Sequence, residues 1–420
     1  MAKIHFITQG CSANISDSEV MQGILTENNN EIVNSAEDAD VVIFNTCTVK
    51  LPSENDFIRK LNNVKQLNKK IIIAGCIPQS DPNSFKEYSR IGVFQIKRIN
   101  EAVEETLKGN IVSFLERNDL GRLNTKKLRK NKFIEIVPIS QGCLNYCSFC
   151  KTKHARGNLK SYEIKDIIRH ISNSVDNGAK EIWLTSQDNA VYGFDIKTNI
   201  AELLKNILTI NKEFKIRIGM MNPGYIVNYL DELIKLYKNS KIFKFIHIPV
   251  QSGSDKVLND MNRGYKKDTY VNIINKFRKE IPDLSIATDI ICGYPTETES
   301  DFKKTLDLVR KTKPDMIYYS RFWPRPGTSA AKLKQLNGKL MKNRCSKMMN
   351  LFKKVALENN KKLINKKFKI LITEKGKNNV WIGKNDSYKQ VIVKGNLRIG
   401  QTATVMIYDA SSLDLKGKLI

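Results

Sequence analysis

Histidine is scarce in this chain, and the motifs of several large enzyme classes are absent from it. Only four histidines occur in 420 residues, and none stands in a pattern that predicts nucleophilic or general-base catalysis. The sequence has no Walker loop and no GxGxxG run, which argues against NTP-driven and dinucleotide-dependent chemistry. No stretch approaches the roughly 20 apolar residues of a membrane span. The opening MAKIHFITQG has no long apolar segment and no cleavage site, so we expect a cytoplasmic protein without a membrane partner.

Acidic residues are few relative to basic ones. Lysine and arginine number 70 against 43 aspartates and glutamates, which gives a net charge of +27. Part of this excess is typical of the Lys, Asn and Ile usage of an AT-rich genome. The rest indicates a polyanionic partner, because Lys and Arg surfaces bind phosphate backbones by releasing counterions. The sequence is not patterned as an amphipathic membrane helix, so nucleic acid is favoured over lipid.

The spacing of the cysteines is the most informative pattern. Eight cysteines in a reducing compartment do not indicate a disulfide framework. Cys143, Cys147 and Cys150 form a C-x3-C-x2-C triplet. Three thiolates hold three irons of a cubane cluster and leave the fourth iron open to a substrate or cofactor. Zinc is the alternative, but it normally takes four ligands, and the nearest further donor is His154.

Residues 1–107 alternate between short β-branched runs and helical patterns, which predicts an open parallel α/β sheet. A cysteine follows each of the first three predicted strands: Cys11, Cys47 and Cys76. The carboxyl ends of parallel strands share one edge of a sheet, so we expect the three thiols side by side. Ordinary packing explains a single buried cysteine. Three in the same position favour a second metal site.

Two further segments complete the first 365 residues. Residues 108–132 are basic and irregular, which predicts a linker that either contacts RNA or only tethers. Residues 133–365 contain six strand–helix units and a closing Lys-rich helix from about residue 330. Six units predict a partial (β/α)6 barrel. The cysteine triplet directly follows the first strand, on the face where such barrels carry their chemistry.

Residues 366–420 change character to five short strands separated by Gly and Asn turns. This pattern predicts a small β-barrel of the oligonucleotide-binding (OB) type. The segment is basic and contains Trp381, Tyr388 and Tyr408, and basic grooves with aromatic platforms suit looped RNA. A docking domain with these aromatics in its core is the alternative. The whole chain is predicted to be α/β.

Taken in order, the motifs resemble those of the methylthiotransferases of the radical S-adenosylmethionine (SAM) superfamily, over essentially the full length. The matching runs are GCSAN (10–14), NTCTV (45–49), AGCIP (74–78), QGCLNYCSFC (141–150), ARG (155–157), MNP (221–223), HIPVQSGS (247–254), MNRGY (261–265), TDIICGYPTETE (288–299) and RPGT (325–328). The last segment resembles the RNA-binding TRAM domain of that family.

Within the family, three runs are most similar to the archaeal and eukaryotic branch that modifies threonylcarbamoyladenosine in tRNA. They are KSY (160–162), LTSQD (184–188) and GKNDSY (383–388). Cys292 and Tyr294 depart from the usual pattern, but neither is one of the six ligand positions. Cys345 has no assigned role and is predicted to be a buried helical thiol.

The resemblance implies two [4Fe–4S] clusters, one on each set of three cysteines, with both open irons facing one cavity. SAM would serve twice, as methyl donor to a sulfur on the N-terminal cluster and as source of a 5′-deoxyadenosyl radical. The implied reaction is methylthiolation at C2 of N6-threonylcarbamoyladenosine at position 37 of tRNA. The implied partners are the tRNA anticodon stem-loop, SAM, a reducing electron donor and a sulfur donor.

Side chains at the ends of the barrel strands are the predicted SAM contacts, although each could instead cap a helix or satisfy a loop. They are Phe149, beside the last cysteine, and Gln187, Arg217, Asn222, Gln251, Ser252 and Glu297. No side chain is predicted to act as acid, base or nucleophile. The run DSE (17–19) also matches the family, yet residues 16–19 have the form of a capping box that opens a helix.

Three alternative functions stay open at this point. Two keep the chemistry and change the substrate, to isopentenyladenosine in tRNA or to an aspartate of a ribosomal protein. The third belongs to another class, an iron–sulfur RNA-binding protein without catalysis.

Overall fold

The computed structural model describes residues 1–49, 51–118, 121–377 and 379–420. Its first part alternates strands and helices: β1 (Lys3–Thr8), α1 (Ser12–Glu27), β2 (Glu31–Ile32), β3 (Val41–Thr46), α2 (Leu51–Lys65), β4 (Lys70–Gly75), α3 (Cys76–Ser80), β5 (Ser89–Gly92), α4 (Ile99–Leu107) and β6 (Ser113–Phe114). The sheet order is β2-β1-β3-β4-β5-β6, and every neighbouring pair is parallel. The predicted open parallel sheet is confirmed.

Strand β3 shows why this sheet is covered on both faces. All six of its residues are buried. Val41 and Ile43 pack in one core cluster, and Val42 and Phe44 pack in another. Because alternate residues of a strand point to opposite faces, helices must cover both sides, as the connections between parallel strands require.

Helix α1 begins five residues before the sequence pattern predicts, at Ser12 instead of Asp17, so the capping-box interpretation is wrong. Its N-cap is Cys11, without a side-chain cap, and residues 16–19 lie inside the helix. Ser16 is buried and donates a hydrogen bond to the carbonyl of Ile136, at 3.3 Å in the next domain. The polar residues of this helix therefore serve contacts between domains.

The central part is a partial barrel. Its elements are β7 (Ile134–Pro138), β8 (Ser140–Gln141), α5 (Thr152–Arg156), β9 (Lys160–Ser161), α6 (Ile164–Asp176), β10 (Glu181–Thr185), α7 (Ile200–Leu208), β11 (Lys215–Ile218), α8 (Pro223–Ile226), α9 (Leu230–Tyr237), β12 (Phe245–His247), α10 (Asp255–Asp260), α11 (Lys267–Glu280), β13 (Ser285–Cys292), α12 (Glu299–Thr312), β14 (Met316–Arg321) and α13 (Gly338–Lys361). Six parallel strands form two sheets, β11-β10-β7 and β12-β13-β14, joined by a bridge between Ile216 and Ile242.

The barrel strands have one face toward the helices and one toward the lumen. Ile182 and Leu184 of β10 pack in the large core against the surrounding helices. Trp183 lies between them and therefore points into the lumen. Helix α13 begins at Gly338 rather than near residue 330, because Asn337 caps it by accepting from the Lys339 amide at 2.8 Å.

The predicted linker, residues 108–132, is part of the folded structure at both of its ends. β6 adds to the N-terminal sheet. Arg122 and Lys127 form buried ion pairs described below, so this segment is more than a solvated tether. Asp119 and Leu120 of the predicted linker lie outside the described residues. The domain boundaries themselves stay predictions.

The C-terminal part is a closed barrel in the order β15-β16-β17-β19-β18, as predicted. Its strands are β15 (Lys367–Lys375), β16 (Val380–Lys384), β17 (Gln390–Lys394), β18 (Thr402–Ala410) and β19 (Leu415–Leu419). Across the described ranges, the helices are too short or too polar to span a lipid bilayer.

This terminal barrel docks against the amino ends of the central strands. Lys384 pairs with Glu181 at the start of β10, at 3.2 Å. The ring of Tyr388 lies 4.9 and 5.0 Å from those of Phe243 and Phe245. The prediction of Tyr388 as an RNA platform is therefore wrong, because its ring is partly buried and packs against the central domain. Tyr408, in contrast, is 58% exposed.

Candidate active site and metal centre

The three N-terminal cysteines meet at the carboxyl edge of the first sheet. The Sγ atoms of Cys11 and Cys76 lie 3.5 and 3.8 Å from Oδ1 of Asn14. Gly10 has a φ of +109°, and a Cβ on it would stand 2.7 Å from Cβ of Cys47. Glycine is required there because the chain must pass the second cysteine closely. The three thiols, which follow the ends of β1, β3 and β4, are thus side by side, as predicted.

Burial changes the acidity of these thiols. It raises the pKa of Cys47 to about 12, with Cys76 and Cys11 adding to the shift. It also raises the pKa of Cys76. A thiol must lose its proton to bind metal, so loading this triad releases protons. Three adjacent thiols, two of them buried and Cys11 exposed, fit an iron–sulfur cluster with an accessible side.

The second triad lies on the loop between β8 and α5. The backbone amide of Asn145 donates to Sγ of Cys143 at 3.4 Å, and its side-chain amide lies 3.7 Å from the same sulfur. Nη1 of Arg263 donates to Sγ of Cys147 at 3.3 Å. Hydrogen bonds to cysteine sulfurs are a main means by which proteins tune such clusters.

A buried carboxylate orients Asn145. Oδ2 of Asp188 accepts from the Asn145 amide at 3.1 Å, and the hydroxyl of Tyr225 donates to Asn145 Oδ1 at 3.0 Å. Burial raises the pKa of Asp188 to about 6. Sequence reasoning assigned no role to Asn145, Asp188 or Arg263, although all three lie within the family-like runs.

Each triad offers three thiols as ligands. A cubane cluster takes them one on each of three irons, whereas zinc normally takes four ligands. Throughout the described part of the chain, no three His, Cys, Asp or Glu side chains are arranged to hold one metal ion.

Arg156 joins the two triads. It lies six residues after Cys150 and is 1% exposed. Its Nη2 pairs with Asp17 Oδ2 at 2.8 Å and donates to Asn14 Oδ1 at 3.1 Å. Burial opposes its charge, but Asp17 and the nearby Cys76 raise the pKa of Arg156. Arg156 therefore links the segment that follows the second triad to the helix that follows Cys11.

A cavity lies where the two domains face each other. Val49, next to the second N-terminal cysteine motif, and Phe149, next to Cys150, both line it. The barrel contributes Gln251 and Asp289, the latter from within β13, and Arg325 also lines the cavity. Arg325 donates to Thr48 Oγ1 at 3.3 Å and pairs with Glu54, so it also ties the domains together.

Three family matches divide the chain in the same way as the fold. Residues 3–94 match the "Uncharacterized protein family UPF0004", residues 137–309 the "Radical SAM superfamily" and residues 361–420 the "TRAM domain". The chain is 40% identical to "Threonylcarbamoyladenosine tRNA methylthiotransferase" of Homo sapiens, covering 99% of this chain and 74% of that protein. It is 39% identical to the Pyrococcus horikoshii "Probable threonylcarbamoyladenosine tRNA methylthiotransferase", covering all of both.

The chain belongs to the threonylcarbamoyladenosine tRNA methylthiotransferase family. The fold agrees with solved radical SAM enzymes. The methyltransferase TsrM from Kitasatospora setae, "with cobalamin and [4Fe-4S] cluster bound", is 11% identical, with a TM-score of 0.56 over 79% of this chain and 77% of that one. At that identity the likeness concerns the fold alone.

In this methylthiotransferase, two predicted SAM contacts line the cavity and a third touches the cluster loop. Phe149 and Gln251 line the cavity. Gln251 has a φ of +67°, a strained conformation of the kind found at ligand sites. Oε1 of Gln187 accepts from the Gly142 amide at 2.7 Å, one residue before Cys143.

The other four predicted contacts are engaged in structural interactions. Asn222 caps α8 by accepting from Gly224 N at 3.0 Å. Ser252 is fully buried and lies 3.2 Å from the Ser254 amide. Glu297 forms a buried pair with Arg344 at 2.6 Å and accepts from Gly293 N at 2.8 Å.

Arg217 points into the lumen, among aromatic rings. Its guanidinium lies 5.4, 5.6 and 5.5 Å from the ring centroids of Trp183, Phe245 and Tyr388. It therefore sits on the side of the docked terminal barrel, whereas the cysteines lie at the other end of the strands.

Proposed function

We propose that this chain installs a methylthio group at C2 of N6-threonylcarbamoyladenosine at position 37 of tRNA. The observation that carries the proposal is the ion pair between Arg156 and Asp17, which links the two domains that carry the cysteine triads. Val49 and Phe149, each close in sequence to one triad, line a cavity between these domains. When bound, two [4Fe–4S] clusters and two molecules of SAM would supply the chemistry: a methylated sulfur for transfer, and a 5′-deoxyadenosyl radical that leaves as 5′-deoxyadenosine with the C2 hydrogen whose place the methylthio group takes. Family membership supports this substrate.

The six cysteines are the proposed cluster ligands: Cys11, Cys47, Cys76, Cys143, Cys147 and Cys150. Arg156 is proposed to position the N-terminal triad through Asn14, and Arg263 to position the second triad through its hydrogen bond to Cys147. Phe149 and Gln251 form walls of the cavity in which SAM and the base are proposed to meet. Val49 and Ile291 add apolar surface to the same cavity.

The basic terminal barrel is proposed to bind the anticodon stem-loop. Tyr408 is exposed on β18 and offers a surface for stacking. The reaction also consumes an electron and a sulfur atom, so we propose a reducing electron donor and a sulfur donor as partners. A cytoplasmic site of action is proposed with them, because tRNA is the substrate.

Nucleoside mass spectrometry of tRNA tests the substrate. In cells lacking the gene, threonylcarbamoyladenosine should accumulate without its methylthio derivative, and the intact gene should restore it. A gene carrying Cys47→Ala is the matched control and should not restore it. Loss of methylthio-isopentenyladenosine instead, or of a modified ribosomal aspartate, would support the alternative substrates. Unchanged modification of all three would leave only an RNA-binding role.

A further inference from the structure

Two apolar side chains of the cluster loop point to solvent, although their neighbours are the proposed ligands. Leu144 and Tyr146 are 38% and 66% exposed. Tyr146 is fixed in place: its hydroxyl donates to Asn158 Oδ1 at 3.2 Å, and Asn262 donates to its carbonyl at 3.0 Å. A rigid aromatic beside an aliphatic side chain is typical of an interaction surface.

The hollow next to Tyr146 is basic. Lys153 places its Nζ 4.2 Å from the Tyr146 ring centroid and also donates to the carbonyl of Cys143. Arg117 and Lys160 line the same hollow, and no Asp or Glu of the described chain lines it. This surface is therefore positive and lies directly on the backbone of the first ligand of the triplet.

The hollow is separate from the cavity between the domains. The cavity is lined by Phe149 and Arg325, and the two depressions share no lining residue. The loop that holds the triplet thus has an inner face toward the cavity and an outer face toward solvent. A molecule bound to the outer face would come close to the proposed cluster without entering the cavity in which the substrate base is proposed to lie.

We propose that the outer face, formed by Leu144, Tyr146, Lys153 and Lys160, binds an acidic one-electron carrier protein. This inference rests on the proposed function, in which the cluster on the triplet must be reduced once per turnover. The carrier loses one electron and the cluster gains it, so no bond is made or broken between them. Lysines around a small apolar centre steer an acidic partner and let it leave quickly, as short-lived redox encounters require.

RNA is the competing occupant of a basic surface. Single-stranded RNA is usually held by several aromatic platforms in succession along a groove. Tyr146 is a single aromatic, and its neighbour Leu144 is aliphatic. The position on the ligand loop therefore fits an electron carrier better than the substrate.

The experiment compares two sources of electrons for the reconstituted full-length enzyme. Reduced flavodoxin serves as the acidic protein donor and dithionite as the small donor, and 5′-deoxyadenosine is measured with each. Direct binding of flavodoxin is measured separately, as is the affinity for tRNA. The test variants are Lys160→Glu and Tyr146→Ala. Lys160→Arg and Tyr146→Phe are the conservative controls, and Lys311→Glu, in the last turn of α12 at the other end of the barrel, controls for total charge.

Each test variant should lower the flavodoxin-driven rate about tenfold and weaken flavodoxin binding. The dithionite-driven rate should stay within about twofold of the parent, and the parent's flavodoxin rate should fall as salt rises. Unchanged flavodoxin binding in both test variants would overturn the proposal, whatever the activity. So would a loss confined to tRNA affinity, which would assign the surface to RNA. If dithionite yields no 5′-deoxyadenosine even with the parent, the proposed function fails, and flavodoxin binding still decides the docking surface.

Discussion

Asp17 and Arg156 stand 139 residues apart in sequence and form a buried ion pair of 2.8 Å between the two cysteine-bearing domains. A second arginine, Arg122, pairs with the other oxygen of Asp17 at 2.7 Å. All three side chains are at most 2% exposed. The carboxylate is therefore the common anchor of the N-terminal helix, the linker and the cluster loop.

Replacing Asp17 by Asn should lower the free energy of unfolding by roughly 3–5 kcal/mol, because two buried arginines lose their counter-charge. Urea unfolding monitored by circular dichroism measures the loss. Asp307→Asn is the matched control, since its pair with Arg310 is exposed and is expected to contribute less than about 1 kcal/mol. Equal effects of the two substitutions would contradict the anchoring role.

Replacing Cys47 by Ala should spare reductive cleavage of SAM but abolish the thiomethylated nucleoside, because the N-terminal triad is proposed to hold only the sulfur to be transferred. Chromatography of 5′-deoxyadenosine and mass spectrometry of tRNA measure the two products. Iron per chain should fall from about eight to about four. Cys345→Ala, outside both triads, is the control and should retain both products. Thiomethylated product from the Cys47 variant would refute the two-cluster assignment.

Replacing Arg263 by Gln should move the reduction potential of the cluster on the triplet to a more negative value. The guanidinium donates to the Cys147 sulfur at 3.3 Å, and a charged donor stabilises the reduced cluster. Redox titration followed by electron paramagnetic resonance measures this, in a background where the N-terminal cysteines are alanine so that one cluster remains. Arg263→Lys keeps the charge and should shift the potential less. A potential unaltered by either substitution would show that the bond has no electronic role.

Replacing Tyr388 by Ala should loosen the terminal barrel from the central one. Its ring packs on Phe243 and Phe245 but is only partly buried, so the loss should be at or below the low end of the roughly 3–5 kcal/mol that truncating a fully buried aromatic costs. Limited proteolysis near residue 365 and thermal unfolding measure the effect. Tyr408→Ala is the control, because Tyr408 is 58% exposed and its loss should leave stability nearly unaltered. Resistance to protease equal to that of the parent would contradict this docking role.

The carboxylate of Glu135 should make the free energy of unfolding depend on pH in the acidic range. Burial alone would raise the pKa of this carboxyl, but Lys127 and His170 outweigh it and lower the pKa to about 2 from 4.5. A lowered pKa stabilises the fold above pH 4.5, and this contribution is lost as the pH falls toward 2. Glu135→Gln should therefore reduce the free energy of unfolding by roughly 3 kcal/mol at pH 7. Urea unfolding from pH 7 to pH 4 should show a constant difference that begins to shrink near the lower limit. If the difference in free energy of unfolding between the parent and the variant grew as the pH fell, the prediction would be contradicted.

The sequence was sufficient for the architecture and for the grouping of the cysteines. Strands such as β3 and β4 are short β-branched runs, and each ends just before Cys47 or Cys76. The rule that parallel strands end at one edge then placed the thiols together without any long-range information. Their roles as ligands stay a prediction, as do the proposed SAM contacts.

What the sequence could not reveal are the contacts made between domains. Residues 16–19 have a capping-box pattern, but they lie inside the helix. There Asp17 forms ion pairs with Arg122 and Arg156, which are distant in sequence. Tyr388 looked like an RNA platform because it lies in a basic segment. Its partners, Phe243 and Phe245, are more than 140 residues earlier, and local patterns do not report such pairings.

The docking of Tyr388 also limits how the molecule can be divided for study. A shortened protein ending at residue 365 would leave Phe243, Phe245 and Trp183 facing water, together with the unpaired Glu181. Such a fragment should self-associate during purification, since exposed apolar patches of this kind promote aggregation. The catalytic portion is therefore best produced with its C-terminal segment attached, and weak solubility of a truncated version would say nothing against its chemistry.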